Sequence, residues 1–391
     1  MVGVRTAAVA ASSRSPQTDA DARSPRVLLL YADIGEGHLA MAQGLACELE
    51  RDSGEFEVIR CNGLAGLGAP VRRLVRGGSR LQLGRSAWLY GAMYDAARRS
   101  GALRGLLARL MARASGRALL RVVSGHRPDI IVSTHPAVNP VLGRLRQRGR
   151  LAVPALTAVI DHADIPFWAH PGLDLHLVML AESVKPVERV AGPGSARLVR
   201  PLVDPRFFVA RPRAEARRAL DLPIEGTVVI VSGGGWGVGD LAGSVRQVLT
   251  LPSTTVVCLC GRDEATRERL AVTFAPEQRV RVLGFSDRMD ELLHAADAVV
   301  LASGGMTCLE ALVCGCPVIA YGAPPGHAIA NFRALAELGL VRVAERAQDL
   351  PLALHEALTG PPPALADGAA RAAEILREWP AALPAPDDRG G

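Results

Sequence analysis

Aromatic residues make up only 4% of the 391 positions, too few for an all-β recognition domain, and an aliphatic core of helices on a parallel sheet is expected instead. Long apolar runs are missing as well. Each one meets an Arg, Asp, Gly or Pro well short of the roughly 18 residues that a bilayer-spanning helix needs, so the mean hydropathy of +0.18 does not signal a membrane span. The seven cysteines contain no C-x-x-C pair, and the Cys258/Cys260 and Cys314/Cys316 spacings suit neighbours on a strand or turn, so buried free thiols are expected and no zinc site. No G-x-x-x-x-G-K-[ST] phosphate loop is present, which excludes ATP hydrolysis of that type. Residues 1–24 alternate Ala and Ser with Arg and Asp and hold no apolar stretch of signal-peptide kind, so they read as a disordered tail and the protein as cytosolic.

What the chain does have is 40 glycines and 27 prolines punctuating runs of Val, Leu, Ala and Ile. Arg26 to Tyr31, Val58 to Cys61, Asp129 to Ser133 and Leu156 to Ile160 read as buried strands, with a helix over Leu39 to Glu50 after the turn Gly35 to His38. The pattern restarts with Thr227 to Val231, Thr255 to Cys260, Arg279 to Leu283, Ala298 to Ala302 and Pro317 to Tyr321. This predicts an α/β protein of two doubly wound Rossmann-like domains facing across a cleft. A tail over 1–24, domains over 25–203 and 204–360, and a helix (Ala364 to Trp379) with a disordered end over 361–391 follow, with the Pro-rich stretch Arg200 to Pro212 as hinge.

Charge is unevenly spread. From Arg72 to Arg121 there are twelve arginines against the single carboxylate of Asp95, while the whole chain is only +6. Arg109, Arg113, Arg117 and Arg121 recur every four residues beside Leu103, Leu106, Leu107, Leu110 and Met111, describing an amphipathic helix with a cationic face. A solvated face, an anionic lipid surface and nucleic acid are the three readings. Leu81, Leu83, Trp88, Leu89, Tyr90, Met93 and Tyr94 interleave with the arginines and favour the membrane surface over a phosphodiester backbone.

Chemistry gathers at strand ends. Ser303-Gly304-Gly305-Met306-Thr307 leads from a strand into a helix, so its N–H groups suit a diphosphate, and Glu310 lies one turn further, placed to accept ribose hydroxyls. Ser232 to Gly237, containing Gly233, Gly234 and Gly235, is a second such turn. A structural packing turn is the other reading of both. His38 on the first glycine turn has the ordinary pKa of a general base, with Asp161 its rival, and His135 ends another strand.

Residues 284–331 (GFSDRMDELLHAADAVVLASGGMTCLEALVCGCPVIAYGAPPGHAIAN) resemble the nucleotide-sugar domain of GT-B glycosyltransferases of the glycosyltransferase family 28-like superfamily. That superfamily includes monogalactosyldiacylglycerol synthase, processive diacylglycerol glucosyltransferase and the N-acetylglucosaminyltransferase of peptidoglycan lipid precursors. Ile34-Gly35-Glu36-Gly37-His38 resembles the family's G-x-G-H loop, Pro128 to Pro136 its T-H-P strand end, and Asp161, Trp168 and Asp174 its Asp and W-x(5)-D run. The resemblance implies an inverting transfer of a hexose or N-acetylhexosamine from a UDP-sugar to a lipid acceptor, diacylglycerol or a polyprenyl-linked glycolipid, at the inner membrane face. It places uracil at the Gly284-Phe285-Ser286 turn with Arg262 nearby, diphosphate on Ser303 to Thr307 and Gly233 to Gly235, ribose on Glu310, and sugar hydroxyls on Pro325 to Asn331, including His327 and Asn331. Gly35, Gly37, His135 and Trp168 fall on the acceptor side. No cofactor beyond the UDP-sugar substrate, no nucleic acid and no metal is implied, since no D-x-D follows a strand; Asp19-Ala20-Asp21 lies in the tail. The chain departs from the family at Ile165-Pro166-Phe167-Trp168, where relatives carry a His that His162 or Asp164 replaces. It departs again at Arg200-Pro201-Leu202-Val203 and at Pro325-Gly326-His327-Ala328. A non-hydrolysing UDP-sugar epimerase and an inactive lipid-binding protein of the same fold are the alternatives.

Overall fold

The computed structural model describes residues 23–34, 36–51, 54–83, 87–365 and 369–379. The expected tail over 1–24 therefore lies outside the described residues except for Arg23 and Ser24, as do Gly35 and the end beyond 379.

Two six-stranded sheets, parallel throughout, organise the chain. The first contains β1 (Arg26–Tyr31), β2 (Glu57–Asn62), β3 (Ile130–Ser133), β4 (Ala155–Val159), β5 (Leu175–Val178) and β6 (Ala196–Leu198), in the order β2-β1-β3-β4-β5-β6. The second contains β7 (Thr227–Ser232), β8 (Thr254–Leu259), β9 (Val280–Leu283), β10 (Ala298–Leu301), β11 (Val318–Ala320) and β12 (Arg342–Val343), in the order β12-β11-β10-β7-β8-β9. Central strands such as RVLLLY and TVVIVS are apolar almost throughout because helices cover both faces of each sheet. The strands unanticipated from sequence are β5, β6 and β12. β5 reads LHLV, and its His176 is accommodated by the Ser195 carbonyl at Nδ1 (2.9 Å) and the His170 N–H at Nε2 (3.1 Å); β12 has two residues, too few for any periodicity.

Seven helices bear on the argument: α1 (Glu36–Arg51), α2 (Ala69–Leu83), α3 (Ala87–Arg99), α4 (Gly101–His126), α5 (Met306–Val313), α6 (His327–Glu337) and α7 (Ala372–Glu378). α2 to α4 form an insertion between β2 and β3. α4 starts where Ser100 Oγ accepts from the Leu103 N–H (3.2 Å) and ends at Arg127 in the left-handed region. The stripe it buries is not the leucine stripe but Ala112, Ser115, Gly116, Leu119 and Val123. Leu103, Leu106, Leu107 and Leu110 are left exposed.

The junction after β6 packs onto α1. A Cβ on Gly44 would stand 2.5 Å from the Leu202 carbonyl, so only glycine admits this approach. The expected final helix is shorter than Ala364 to Trp379 and is no detached end. α7 returns to the first sheet, where the Ala373 N–H donates to Glu48 Oε1 (3.0 Å), the Arg200 N–H donates to the Ala370 carbonyl (3.0 Å), and Arg377 pairs with Glu55. No helix among the described residues is long and apolar enough to cross a membrane.

Candidate active site

In each sheet the strand order reverses once, between β1 and β3 and between β7 and β10. Such switch points open a crevice at the carboxyl ends of the strands. The two crevices face each other and merge into one cleft of about 1670 Å³. They come close enough that a Cβ on Gly37 would lie 3.5 Å from Met306 Cγ. Asn331, buried on α6, closes the seam by accepting from the Ala163 N–H (3.3 Å) and donating to the Gly304 carbonyl (2.7 Å). Its amide is thus engaged across the seam, whereas the resemblance put it on sugar hydroxyls.

The first crevice is built of titratable side chains. His38 Nδ1 donates to the Thr134 carbonyl (2.8 Å), a pairing that leaves Nε2 as the acceptor; Thr134 Oγ1 donates back to the His38 carbonyl (3.0 Å). The His135 ring stands edge-on at 4.4 Å and the Trp168 ring at 5.9 Å. Burial among these rings lowers the His38 pKa to about 4. The ordinary imidazole pKa expected from sequence is corrected by this packing. Trp168 is fully buried, and its Nε1–H donates to Asp161 Oδ2 (3.2 Å), so it backs Asp161 and offers no open face to an acceptor. Burial pushes the Asp161 carboxyl above the usual range, against the indole hydrogen bond that favours its ionised form. Asp164, also buried, is raised by burial and by the Asp161 charge, and accepts from the Tyr94 hydroxyl. Of the two stand-ins for the absent histidine, Asp164 lines the cleft, whereas His162 turns to Ser183 Oγ (2.6 Å). His135 is buried beside His38 and also lines the cleft, its Nδ1 accepting from the Ala137 N–H (3.1 Å).

The second crevice is built of backbone. The turns after β7 and β10 lie side by side, with Ser303 Oγ 3.2 Å from where a Gly234 Cβ would sit. At Gly233 a Cβ would come within 2.4 Å of the Gly237 carbonyl carbon, so the turn needs glycine for its own tightness. The start of α5 at Gly305, Met306 and Thr307 has no side-chain cap, and its first N–H groups are available to an anion. Glu310, one turn on, also lines the cleft. Burial raises its pKa to about 7, partly opposed by Arg206. Phe285 is exposed, and the Arg262 guanidinium lies 4.0 Å from its ring centroid. His327 opens α6; burial lowers its pKa although the Asp164 charge opposes this.

Three features escaped the sequence. Glu36, the residue between the two glycines of the first turn, reaches over Gly235 to take Arg262 Nε at 2.8 Å, an ion pair between the two halves. The sequence pattern sets Tyr94 among interfacial apolar residues, but it is buried against Asp164 and stacks on Phe167 at 5.5 Å. Arg144 lines the cleft without an ion pair among the described residues. All three depend on contacts between distant segments and have no local pattern.

The family model described as monogalactosyldiacylglycerol (MGDG) synthase matches residues 69–192, and the one described as glycosyl transferases group 1 matches residues 243–367. The processive diacylglycerol beta-glucosyltransferase of Bacillus subtilis (strain 168) is 26% identical over 233 residues, covering 59% of this chain and 60% of that one. Monogalactosyldiacylglycerol synthase 1, chloroplastic, of Arabidopsis thaliana is 27% identical over 339 residues, covering 81% and 62%. The chain thus spans about 60% of the length of these curated relatives. Among solved structures, Acinetobacter baumannii MurG aligns over 92% of this chain and 100% of that one, with a TM-score of 0.56 at 14% identity. The spinosyn rhamnosyltransferase SpnG complexed with thymidine diphosphate aligns over 91% and 100%, with a TM-score of 0.54 at 15% identity. The fold is GT-B.

Proposed function

We propose that this chain, a GT-B protein whose relatives are diacylglycerol glucosyltransferases and monogalactosyldiacylglycerol synthases, transfers a hexose or N-acetylhexosamine from a UDP-sugar to a lipid hydroxyl with inversion. The observation that carries this reading is the junction of the two crevices, where a side-chain proton acceptor faces an uncapped helix start across one cleft.

The diphosphate lies on the Ser303 to Thr307 and Gly233 to Gly235 turns, with Glu310 on the ribose and Phe285 beside the base. The acceptor oxygen attacks the anomeric carbon as the bond from that carbon to the β-phosphate oxygen breaks. The bonding pair leaves with UDP, and its negative charge is met by fixed N–H dipoles at the start of α5. The hydroxyl proton passes to a base in the first crevice. A base works best when its pKa lies near the working pH, and burial moves Asp161 toward that point and His38 away from it. Asp161 is therefore the base, and His38 Nε2 orients the hydroxyl. Inversion follows from a single displacement with the base on the face opposite the leaving group.

The insertion supports a lipid acceptor. Leu106, Leu107 and Leu110 on α4, with Trp88, Leu89 and Met93 on α3, are exposed, and Trp88 is 70% accessible. Arg109, Arg113, Arg117 and Arg121 are all exposed and have no ion-pair partner among the described residues. Apolar side chains beside unpaired cations suit the interface of an anionic bilayer, so the protein works peripherally, on the inner membrane face. An epimerase has no need of such a face.

The test is mass spectrometry of membrane lipids incubated with the protein and a panel of UDP-sugars, with UDP release measured in parallel. Glycolipid formed in step with UDP is expected. Isomerised UDP-sugar without lipid, or no turnover with any lipid, overturns the reading in favour of an epimerase or an inactive lipid-binding protein.

A further inference from the structure

Two arginines on one helix of the first domain have opposite fates. The helix Asn139–Gln147 carries Arg146, which pairs with Asp174 and also donates to the Leu151 (3.1 Å) and Ala152 (2.7 Å) carbonyls. Two residues earlier, Arg144 lines the cleft with its Nε fully buried, and no hydrogen bond or ion pair from the described residues reaches its guanidinium. A buried guanidinium N–H without a partner is costly, and a group held half-buried in this way calls for a ligand. Its neighbour His170 supplies no charge, because burial first and the Arg144 cation second lower that imidazole to about 4. Arg104, which lines the same cleft, also lacks a carboxylate among the described residues. Its Nη1 rests on the Ala97 carbonyl (2.8 Å) and its guanidinium lies 6.0 Å from the Phe167 ring centroid. The wall of the same cleft includes the apolar side chains of Leu107, Met111, Pro140 and Ala169.

We propose that Arg144, with Arg104 on the same cleft, binds the phosphate group of a lipid in this apolar crevice, so that the acceptor is an anionic phospholipid and not a neutral one. The planar guanidinium matches a phosphate bidentately, and the apolar wall takes the acyl chain. This inference rests on the transfer reading above and narrows its substrate class. The cations of α4 that meet the membrane, Arg109 to Arg121, are separate from it.

The experiment compares dioleoylphosphatidylglycerol with dioleoylglycerol, each in micelles of a neutral detergent, using the full chain, Arg144→Gln and Arg144→Lys. Binding is read first without donor, by native mass spectrometry, and transfer is read second as KM. The unmodified protein is expected to prefer the phospholipid by roughly tenfold or more, the loss typical of a charge-assisted pair. Arg144→Gln abolishes the preference, Arg144→Lys keeps part of it, and both melt with the parent and bind UDP unchanged. Equal binding of the two lipids, or a preference that survives Arg144→Gln, overturns the inference. Full competition by equimolar inorganic phosphate also overturns it, because the site then serves a free anion. So does phosphatidylglycerol that speeds transfer to dioleoylglycerol without itself being glycosylated, because it is then an activator. Arg144-independent transfer to dioleoylglycerol sinks the inference alone; absence of transfer to either lipid sinks the wider reading, and the binding arm still reports on Arg144.

Discussion

Both halves are six parallel strands whose order reverses once, yet they equip that reversal differently. At β1 and β3 the crevice is lined by His38, His135, Asp161 and Asp164, groups whose pKa values are moved by burial and by each other. At β7 and β10 it is lined by Gly233, Gly234, Ser303, Gly304 and Gly305, which present backbone N–H groups, with Glu310 and His327 the groups whose pKa values burial moves. Diphosphate charge is always present and is best met by fixed dipoles, whereas proton transfer needs a group that changes state. The first half alone carries the long insertion α2 to α4. On the proposed reading one fold divides the work, with a backbone-built donor side and a titratable acceptor side that carries the cationic insertion.

The sharpest way to break this division is Asp161→Asn. Turnover should fall by about 10² to 10⁴, the range of general base action, with UDP affinity kept. His38→Ala should cost within about tenfold, the loss of one neutral hydrogen bond. A larger loss at His38 than at Asp161 in steady-state kinetics exchanges their roles.

Next in size is Arg109, Arg113, Arg117 and Arg121 all replaced by Gln. Each arginine near an anionic bilayer contributes about 1 kcal/mol, so vesicle affinity should drop by about two to three orders of magnitude. UDP binding should be untouched. Raising salt should imitate the change, as the screening length is about 8 Å at physiological ionic strength. Sedimentation with phosphatidylglycerol vesicles that ignores both would leave the arginines as a solvated face.

On the donor side, Glu310→Ala should weaken UDP binding by about 1 to 3 kcal/mol in calorimetry, the cost of losing charge-assisted bonds to hydroxyls. Unchanged affinity would displace the ribose from this residue.

The smallest effect is a pH dependence. The Glu310 pKa is raised from its ordinary value to about 7, so the carboxyl is mostly protonated below that pH and ionised above it. Only the ionised form accepts with both oxygens, so UDP affinity should rise several-fold from pH 6 to pH 8. The uracil nucleotide titrates too, so the measurement is the difference between the parent and Glu310→Gln. An identical pH profile in the two would mean that Glu310 does not touch the ligand.

Much of this was legible in the sequence. RVLLLY, TVVIV and the Ser303 to Thr307 turn declare strands and a helix start through near-neighbour patterns, and the arginine excess between Arg72 and Arg121 needs only counting. LHLV with its buried His176, and the two-residue strand β12, carry too little pattern to be read. The leucine stripe of α4 was legible as amphipathic, but not which stripe is buried. Small residues at 112, 115 and 116 let α4 pack closely against the helix Asn139–Gln147, with a Gly116 Cβ site 3.3 Å from Leu145, and that leaves the leucines outside.

By itself the sequence determined two doubly wound halves, the glycine turns at their strand ends and the cationic insertion, because periodicity and composition act within a few residues along the chain. Only the tertiary structure decided that Glu36 meets Arg262, that Tyr94 turns inward to Asp164, that burial lowers the His38 pKa to about 4, and that the Arg144 Nε is left without a partner among the described residues. Burial and charge pairing arise between residues up to 322 positions apart, and they set the chemistry of groups whose identity alone leaves it open.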